Sequence, residues 1–185
     1  IEYDTLQAAG SMMGSGGMIV MDEDDCMVAM AQFYLGFTVE ESCGKCSPCR
    51  IGNKRLFEIL TKITSGKGTE EDLKRLRNLG EVIKDTSLCG LGQTSPNPVL
   101  STLDNFYDEY LAHVTEQRCP AHQCRDLTVY YINPKKCTGC TLCAHVCPVH
   151  AIVGERKTTH IIDPNLCIRC GSCLEKCRFG AIYVY

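Results

Sequence analysis

The chain has 185 residues, no Trp and a formal net charge of −3. Fifteen residues are Cys, a share far above ordinary usage, and the count is odd. Most of them fall in C-x-x-C runs, whose neighbouring sulfurs suit a shared metal ion or cluster better than separate disulfides. We therefore expect metallated cysteines in a reducing cytoplasm, which excludes a secreted disulfide scaffold.

No apolar run reaches about 18 residues, so no transmembrane helix is predicted, and no signal peptide is recognisable. The charge is unevenly spread: residues 126–185 carry seven Lys/Arg and four Asp/Glu, whereas residues 1–125 carry 12 and 18. No basic stripe with interleaved aromatic residues indicates nucleic-acid binding. Because the chain opens with Ile1, we expect it to be part of a longer protein.

Residues 1–21 are predicted to form the end of a small upstream α/β domain. A short helix is expected over residues 4–9, a turn over residues 14–17 and a strand over the apolar residues 18–21. The glycine-rich turn could instead contact phosphate, but no Lys-Ser/Thr pair follows it, as a P-loop requires.

Residues 22–112 are predicted to form a bundle of four amphipathic helices with short connections. The first starts at an N-cap within residues 22–25 and ends near Gly36, and the second starts at Pro48. The third follows a capped, acidic first turn at residues 69–72. The fourth opens at residues 97–98 and carries one continuous apolar stripe: Val99, Leu100, Leu103, Phe106, Tyr107, Tyr110 and Leu111.

Residues 113–126 lack apolar periodicity and are predicted to be a linker or hinge. Residues 127–185 then contain the pattern C-x2-C-x2-C-x3-C twice. The first copy is Cys137, Cys140, Cys143 and Cys147, and the second is Cys167, Cys170, Cys173 and Cys177. This spacing resembles that of bacterial ferredoxins with two [4Fe–4S] clusters, in which the fourth cysteine ligates the other cluster.

The ferredoxin pattern predicts two ligand sets and a fold. One cluster takes Cys137, Cys140, Cys143 and Cys177, and the other takes Cys167, Cys170, Cys173 and Cys147. Paired zinc sites are the alternative, but a four-cysteine zinc site usually has a longer spacer between two C-x-x-C pairs. Arg178 replaces the proline expected after the fourth cysteine. Short strands over residues 127–132, 151–153, 160–162 and 181–185 complete a ferredoxin-like α+β domain.

A second cysteine turn lies within the predicted bundle. Its sequence, Ser-Cys-Gly-x-Cys-x-Pro-Cys-Arg-x-Gly over residues 42–52, is followed by a distant cysteine within Thr-Ser-Leu-Cys-Gly-Leu-Gly at residues 86–92. This arrangement resembles the [4Fe–4S] site of the NADH-binding flavoprotein subunit of respiratory complex I. The module is also found in NAD(P)-linked [FeFe]-hydrogenases and formate dehydrogenases. The resemblance implies that Cys43, Cys46, Cys49 and Cys89 ligate one cluster, with a structural zinc ion as the alternative.

Three cysteines remain. Cys26, Cys119 and Cys124, together with His113, make a closed tetrahedral ligand set for zinc. His122 is the alternative imidazole, although it lies close to two of the cysteines in sequence. Otherwise Cys26 is a small buried apolar residue and the other two are free thiols. The remaining histidines, His145, His150 and His160, are expected around the clusters or on the surface, and His145 could tune a cluster potential.

The combination of a complex I-like core and an appended two-cluster ferredoxin resembles the beta subunit of multimeric, electron-bifurcating [FeFe]-hydrogenases. It implies a relay of single electrons between an FMN and NAD(P) site upstream of this chain, clusters on partner subunits and soluble ferredoxin. The implied partners are a hydrogenase catalytic subunit and a small thioredoxin-like [2Fe–2S] subunit. The alternatives are an NAD-dependent formate dehydrogenase subunit and a ferredoxin-docking or structural bridge module. No residue of the chain is expected to be catalytic.

Overall fold

The computed structural model describes residues 2–14 and 16–185. The chain divides into two compact units, a helical unit (Ile1–Gln123) and a second unit (Cys124–Tyr185). The division falls within residues 113–126, for which the sequence predicts a linker. No helix among the described residues combines the length and apolar character needed to cross a membrane.

The helical unit contains seven α-helices within the described residues. They are α1 (Tyr3–Ala8), α2 (Met27–Glu41), α3 (Asn53–Thr64), α4 (Glu70–Thr86), α5 (Gly90–Thr94), α6 (Asn97–Asn105) and α7 (Tyr107–Leu111). A π-helical turn over Pro48–Gly52 leads into α3, and another over Ala112–Glu116 extends α7. The helices α2, α3, α4 and α6 pack against one another around the apolar core.

The core of the helical unit follows the predicted spacing of three and four residues. Leu56, Leu60 and Ile63 are buried on α3, and Leu73, Leu76 and Ile83 are buried on α4. The predicted count of four helices is not confirmed: the short helix α5 lies between the third and fourth predicted helices, and the backbone leaves helical geometry at Phe106, which divides the fourth into α6 and α7. Phe106 and Tyr107 are exposed, so the apolar stripe is interrupted there.

Helix α2 begins and ends later than predicted. Its N-cap is Cys26, whose sulfur accepts a hydrogen bond from the backbone N–H of Ala29 (3.4 Å). The helix passes through Gly36 and ends at Glu41. A Cβ atom at Gly36 would lie 3.1 Å from the Phe57 ring of α3. This glycine therefore provides room for a neighbouring ring and does not end the helix.

The capped start predicted for α4 is confirmed. The Thr69 hydroxyl accepts from the backbone N–H of Asp72, and the Asp72 carboxylate accepts from the Thr69 N–H (2.9 Å) and hydroxyl (2.8 Å). The same carboxylate pairs with the Lys62 ammonium at 2.5 Å. Burial would raise the pKa of Asp72, but hydrogen bonds from Lys62 and Thr69 outweigh it and hold that pKa below its ordinary value.

The first 21 residues match their prediction only in part. The predicted helix corresponds to α1, whereas residues 18–21 form no strand and are exposed, with Val20 at 82%. No strand of the described residues pairs with them, so their backbone joins no ladder. Within the predicted turn at residues 14–17, Ser15 lies outside the described residues.

The second unit has the four predicted strands, each shorter than expected. They are β1 (Tyr130–Ile132), β2 (Ile152–Val153), β3 (Ile161–Ile162) and β4 (Ile182–Val184), with helices α8 (Leu142–Val146) and α9 (Ser172–Lys176) between them. Strand β1 pairs antiparallel with β4, and β2 pairs antiparallel with β3. Leu127, predicted as the first strand residue, lies in a 3₁₀ turn. The core contains Cys143, Ile152, Ile162, Cys173 and Ile182.

Candidate cluster and metal sites

Each ferredoxin repeat begins with a loop that turns sharply before a short helix. The backbone is left-handed at Gly139 and Thr141 in the first repeat, and at Arg169 and Gly171 in the second. A Cβ atom at Gly139 would lie 2.4 Å from the Thr158 backbone, so only glycine fits there. These turns place the third cysteine of each motif in the first turn of α8 or α9.

The fourth cysteine of each repeat immediately follows its helix. The backbone N–H of Ala151 donates to the Cys147 sulfur (3.2 Å), and the N–H of Ala181 donates to the Cys177 sulfur (3.3 Å). Hydrogen bonds of this kind stabilise a thiolate and tune a cluster potential. The two halves therefore hold their fourth sulfurs in the same way.

Two small cavities of nearly equal size lie in the second unit. The first is lined by Cys137, Cys140, Cys143 and Cys177, and the second by Cys167, Cys170, Cys173 and Cys147. Each cavity thus combines three cysteines of one repeat with the fourth of the other. The remaining lining is mostly apolar, and four thiols around a small apolar space fit a cubane cluster.

The cysteine pKa values reflect this partial burial. Burial raises the pKa of the Cys143 thiol and raises that of Cys173 to about 11. In contrast, the Ser172 hydroxyl and backbone N–H lower the pKa of Cys170. Iron binds the thiolate, so cluster assembly at the buried sulfurs must release protons.

The three histidines of this unit lie in two kinds of environment. His145 and His150 are exposed, and neither lines one of the two cavities. His160 is buried and lines the first cavity beside the four cysteines. Cysteine spacing alone does not predict this position of His160.

The cysteine turn of the helical unit is built on the π-helical turn before α3. Cys49 is buried there, 3.3 Å from the Ser42 hydroxyl, and its sulfur accepts from the Asn53 side-chain amide (3.5 Å). The side-chain oxygen Oδ1 of Asn53 in turn accepts a hydrogen bond from the Ser95 hydroxyl (2.8 Å). Asn53 and Ser95 carry no pattern in the sequence, since only the fold brings them together.

The loop that carries Cys89 lies beside this turn. Backbone N–H groups of Leu88 and Cys49 lower the pKa of the Cys46 thiol, in that order of importance. A Cβ atom at Gly92, in α5, would lie 3.1 Å from the Cys49 Cβ. The structure therefore brings Cys46 and Cys49 to the segment of Cys89. Cys43 lies in the same turn and, like Cys89, is exposed.

The three surplus cysteines and His113 form a buried group. Their ligand atoms, from Cys26, His113, Cys119 and Cys124, all lie within 4.8 Å of one another. The Cys26 sulfur is 3.4 Å from His113 Nε2, and ligands around tetrahedral zinc lie about 3.5–3.8 Å apart. His113 Nδ1 donates to the Glu109 backbone carbonyl (2.7 Å), which leaves Nε2 facing the sulfurs.

The electrostatics of this group match a set of ligands. Burial would lower the pKa of His113, but the sulfurs of Cys119 and Cys26 outweigh it and raise that pKa to about 10. Metal ligation requires a neutral ring and deprotonated thiols, so binding of a divalent ion to these four groups would release protons. His122, the alternative ligand, is absent from the group.

Comparison with known proteins identifies both units. Residues 29–113 match the NADH-ubiquinone oxidoreductase-F iron-sulfur binding region, and residues 136–182 match a 4Fe-4S dicluster domain. The sequence is 62% identical over 98% of this chain to the NADP-reducing hydrogenase subunit HndC of Solidesulfovibrio fructosivorans. The chain is a relative of subunits of NAD(P)-linked oxidoreductases. The two matched regions contain all twelve cysteines predicted as cluster ligands, whereas Cys26, Cys119 and Cys124 lie outside them.

Other relatives match a smaller part of the chain. An NADH-quinone oxidoreductase subunit of Rhizobium meliloti (strain 1021) is 40% identical over 66% of it. The NADP(+)-dependent formate dehydrogenase subunit beta of Moorella thermoacetica is 38% identical over 55%. A crystal structure of an NAD+-reducing [NiFe]-hydrogenase in the H2-reduced state has a TM-score of 0.50 and 33% identity, and covers 52% of this chain and 17% of that chain.

The chain is much shorter than these relatives. It spans 37% of the hydrogenase subunit, 29% of the quinone oxidoreductase subunit and 14% of the formate dehydrogenase subunit. The flavin and nucleotide sites that the resemblance implies upstream therefore concern residues outside this chain.

Proposed function

We propose that this chain is the iron–sulfur electron-transfer segment of an NAD(P)H-linked, hydrogenase-type complex. The observation that carries the proposal is the pair of cavities, each lined by four cysteines drawn from both repeats. A hydrogenase-type complex is favoured over formate dehydrogenase because the hydrogenase relative aligns with 98% of the chain, both units included. The formate dehydrogenase relative aligns with only 55%.

Three [4Fe–4S] clusters would be held by the twelve cysteines. Cys43, Cys46, Cys49 and Cys89 hold one, and the two crossed sets of the second unit hold the others. A bound cluster accepts and donates one electron at a time. The protein's part is to supply thiolates, to donate N–H groups to their sulfurs and to surround them with apolar side chains such as Ile132 and Ile162.

The segment would exchange electrons with FMN and NAD(P) bound elsewhere in the same protein. Its proposed partners are a hydrogenase catalytic subunit, a small thioredoxin-like [2Fe–2S] subunit and soluble ferredoxin, in the cytoplasm. The excess of Lys/Arg in residues 126–185 suits contact with an acidic partner. A purely docking or bridging role is the second candidate, and it predicts no transfer of electrons through the second unit.

We propose that Cys26, His113, Cys119 and Cys124 hold one zinc ion. All four side chains are buried, and three thiolates with one imidazole make a closed structural site without an open position. Zinc has no redox chemistry, so this site would connect the start of α2 to the segment after α7 and carry no electrons.

The proposed relay is tested with Cys89→Ser in the complete protein, assembled with its partners. Iron should fall by about four atoms per chain, because one cluster is lost. NAD(P)H oxidation by an artificial dye at the flavin should persist, whereas NAD(P)H-linked reduction of ferredoxin should stop. Unchanged iron content in this variant would contradict the cluster at Cys89. Ferredoxin reduction that continues after cluster loss would favour the docking or bridging role.

A further inference from the structure

The two ferredoxin repeats can be aligned residue by residue. A shift of 30 positions carries Cys137 to Cys167 and Cys147 to Cys177. The same shift relates the residues that line the two cavities, for example Ile132 to Ile162, Ala151 to Ala181 and Ile152 to Ile182. In this register, His160 of the first cavity corresponds to Tyr130 of the second. Each cavity thus receives one polar aromatic side chain from the same place in the fold, and the two side chains differ.

His160 occupies a position built for a buried ring. Its side chain is 1% exposed, and Nδ1 lies 3.2 Å from the Thr158 carbonyl oxygen, to which it donates. A Cβ atom at Gly154 would lie 2.8 Å from the ring, so glycine is needed to make room for it. The other nitrogen, Nε2, is buried without a hydrogen-bond partner among the described residues. Burying a polar nitrogen without a hydrogen bond costs free energy, unless a bound group forms that hydrogen bond.

Tyr130 fills the equivalent place with a neutral group. Its hydroxyl lies 3.3 Å from the position of a Cβ atom at Gly171, on the cysteine loop of the second cavity. A phenol has an ordinary pKa of about 10, so Tyr130 offers the second cavity a neutral O–H donor. In contrast, His160 lines a cavity whose four cysteine sulfurs, once they hold a cluster, can only accept hydrogen bonds, so its unpartnered Nε2 can pair there only as a donor; with Nδ1 also donating, the paired ring is a cation.

We propose that His160 Nε2 donates a hydrogen bond to the cluster held by Cys137, Cys140, Cys143 and Cys177, and thereby gives this cluster the higher reduction potential of the pair. The proposal rests on the proposed function, since it requires the two clusters. A donor near cluster sulfur stabilises the more negative, reduced state, and a positive charge does so more than a neutral hydroxyl. His160 is a positioning and tuning residue, not a ligand, because four thiolates already complete the site.

The test exchanges the two side chains in the complete, anaerobically purified protein. His160→Tyr makes the two sites alike, and Tyr130→His supplies the second site with the imidazole. Potentials are measured by EPR-monitored redox titration, with iron content determined on the same samples. We expect His160→Tyr to lower one potential so that its reduction equilibrium falls about tenfold, or about 59 mV for one electron. Tyr130→His should instead raise the reduction potential of the cluster in the second cavity. The control His150→Asn removes an exposed imidazole and should change neither potential.

The outcomes separate the inference from the function on which it rests. If the unchanged protein lacks the irons of the second unit, about eight atoms, the proposed function fails. If His160→Tyr keeps all its iron and the reduction equilibrium of each cluster changes less than twofold, the role of His160 is refuted. If His160→Tyr instead loses the first cluster, the Tyr130→His titration decides: a raised potential supports the inference, and an unchanged one overturns it.

Discussion

The helical unit and the second unit differ in the structure that supports their cysteines. The helical unit buries apolar side chains from helices of 12 to 17 residues, and its cysteine turn is attached to this core at Cys49. In the second unit, the strands have two or three residues, the helices have five, and Cys143 and Cys173 belong to the core itself. Elements this short do not persist alone. We therefore expect apolar packing to specify the helical unit and the second unit to depend on the proposed clusters.

Removing the iron is expected to have the largest effect on this contrast. Anaerobic treatment of the complete protein with an oxidant and a chelator should unfold residues 130–184 and leave α3 and α4 folded. Hydrogen exchange measured by mass spectrometry should accelerate roughly 1,000-fold in α8 and α9, because their protection depends on the clusters. Full protection of α8 and α9 in iron-free protein would abolish the distinction between the units.

Single ligand substitutions sharpen the contrast within the second unit. Cys147→Ser should destabilise the loop at residues 167–173, and Cys177→Ser the loop at residues 137–143, because each sulfur serves the opposite cavity. Each variant should lose about four irons, and hydrogen exchange identifies the affected loop. Loss of protection in the variant's own loop would mean that the ligands do not cross.

Loss of the proposed zinc ion should have a smaller effect, in α7 and in the first turn of α2. Replacing Cys119 and Cys124 together by Ala should reduce bound zinc from about one ion per chain to near zero while iron is retained. Hydrogen exchange should increase in α7 and in the first turn of α2, which carry or adjoin His113 and Cys26. His122→Ala is the matched control and should keep its zinc. Absence of zinc from the unchanged protein would refute the site.

Asp72 offers the smallest effect, independent of any metal. Asp72→Asn should lower the free energy of unfolding of the helical unit by about 1–2 kcal/mol, since it weakens a cap and a hydrogen bond from Lys62. Asp85→Asn, at the exposed opposite end of α4, is the control and should change stability by less than about 0.5 kcal/mol. Hydrogen exchange of the α4 backbone amides measures the change in stability in both variants.

The lowered pKa of Asp72 also fixes the direction of a pH effect. A carboxyl group whose pKa is lower in the folded state stabilises the fold above its unfolded pKa, about 3.9. That stabilisation is lost as the pH falls through the lower, folded value. The difference in α4 stability between the unchanged protein and Asp72→Asn should therefore shrink in acid, and a constant difference would contradict the ionised cap.

Sequence patterns predicted the features that depend on chemistry at fixed spacing. Cysteine intervals indicated both ferredoxin motifs, and the residues around Thr69 indicated the start of α4. The end of α2 was predicted wrongly at Gly36. A glycine that ends a helix and a glycine that makes room for a ring such as Phe57 cannot be told apart in the sequence. The apolar run at residues 18–21 likewise resembled a strand, although strand formation depends on a partner that the pattern does not contain.

The polar residues around the cysteines were the hardest to predict. Asn53 and Ser95 meet at Cys49 only because α3 and the segment after α5 pack together. The position of His145 between two cysteines favours it as the residue that tunes a cluster, yet His145 is exposed and His160 is the buried ring. One sequence signal was available: aligning the two repeats at 30 positions would have paired His160 with Tyr130 at the cavities.

The crossing of the fourth cysteine also bears on how such a unit could have arisen. A single repeat supplies three sulfurs to one site and one sulfur to another, so alone it completes neither. An ancestral half of about 30 residues would have held its clusters only by pairing with a second copy of itself. Joining the two copies in one chain would then have allowed the equivalent positions, now His160 and Tyr130, to change independently and to give two originally identical redox centres different properties.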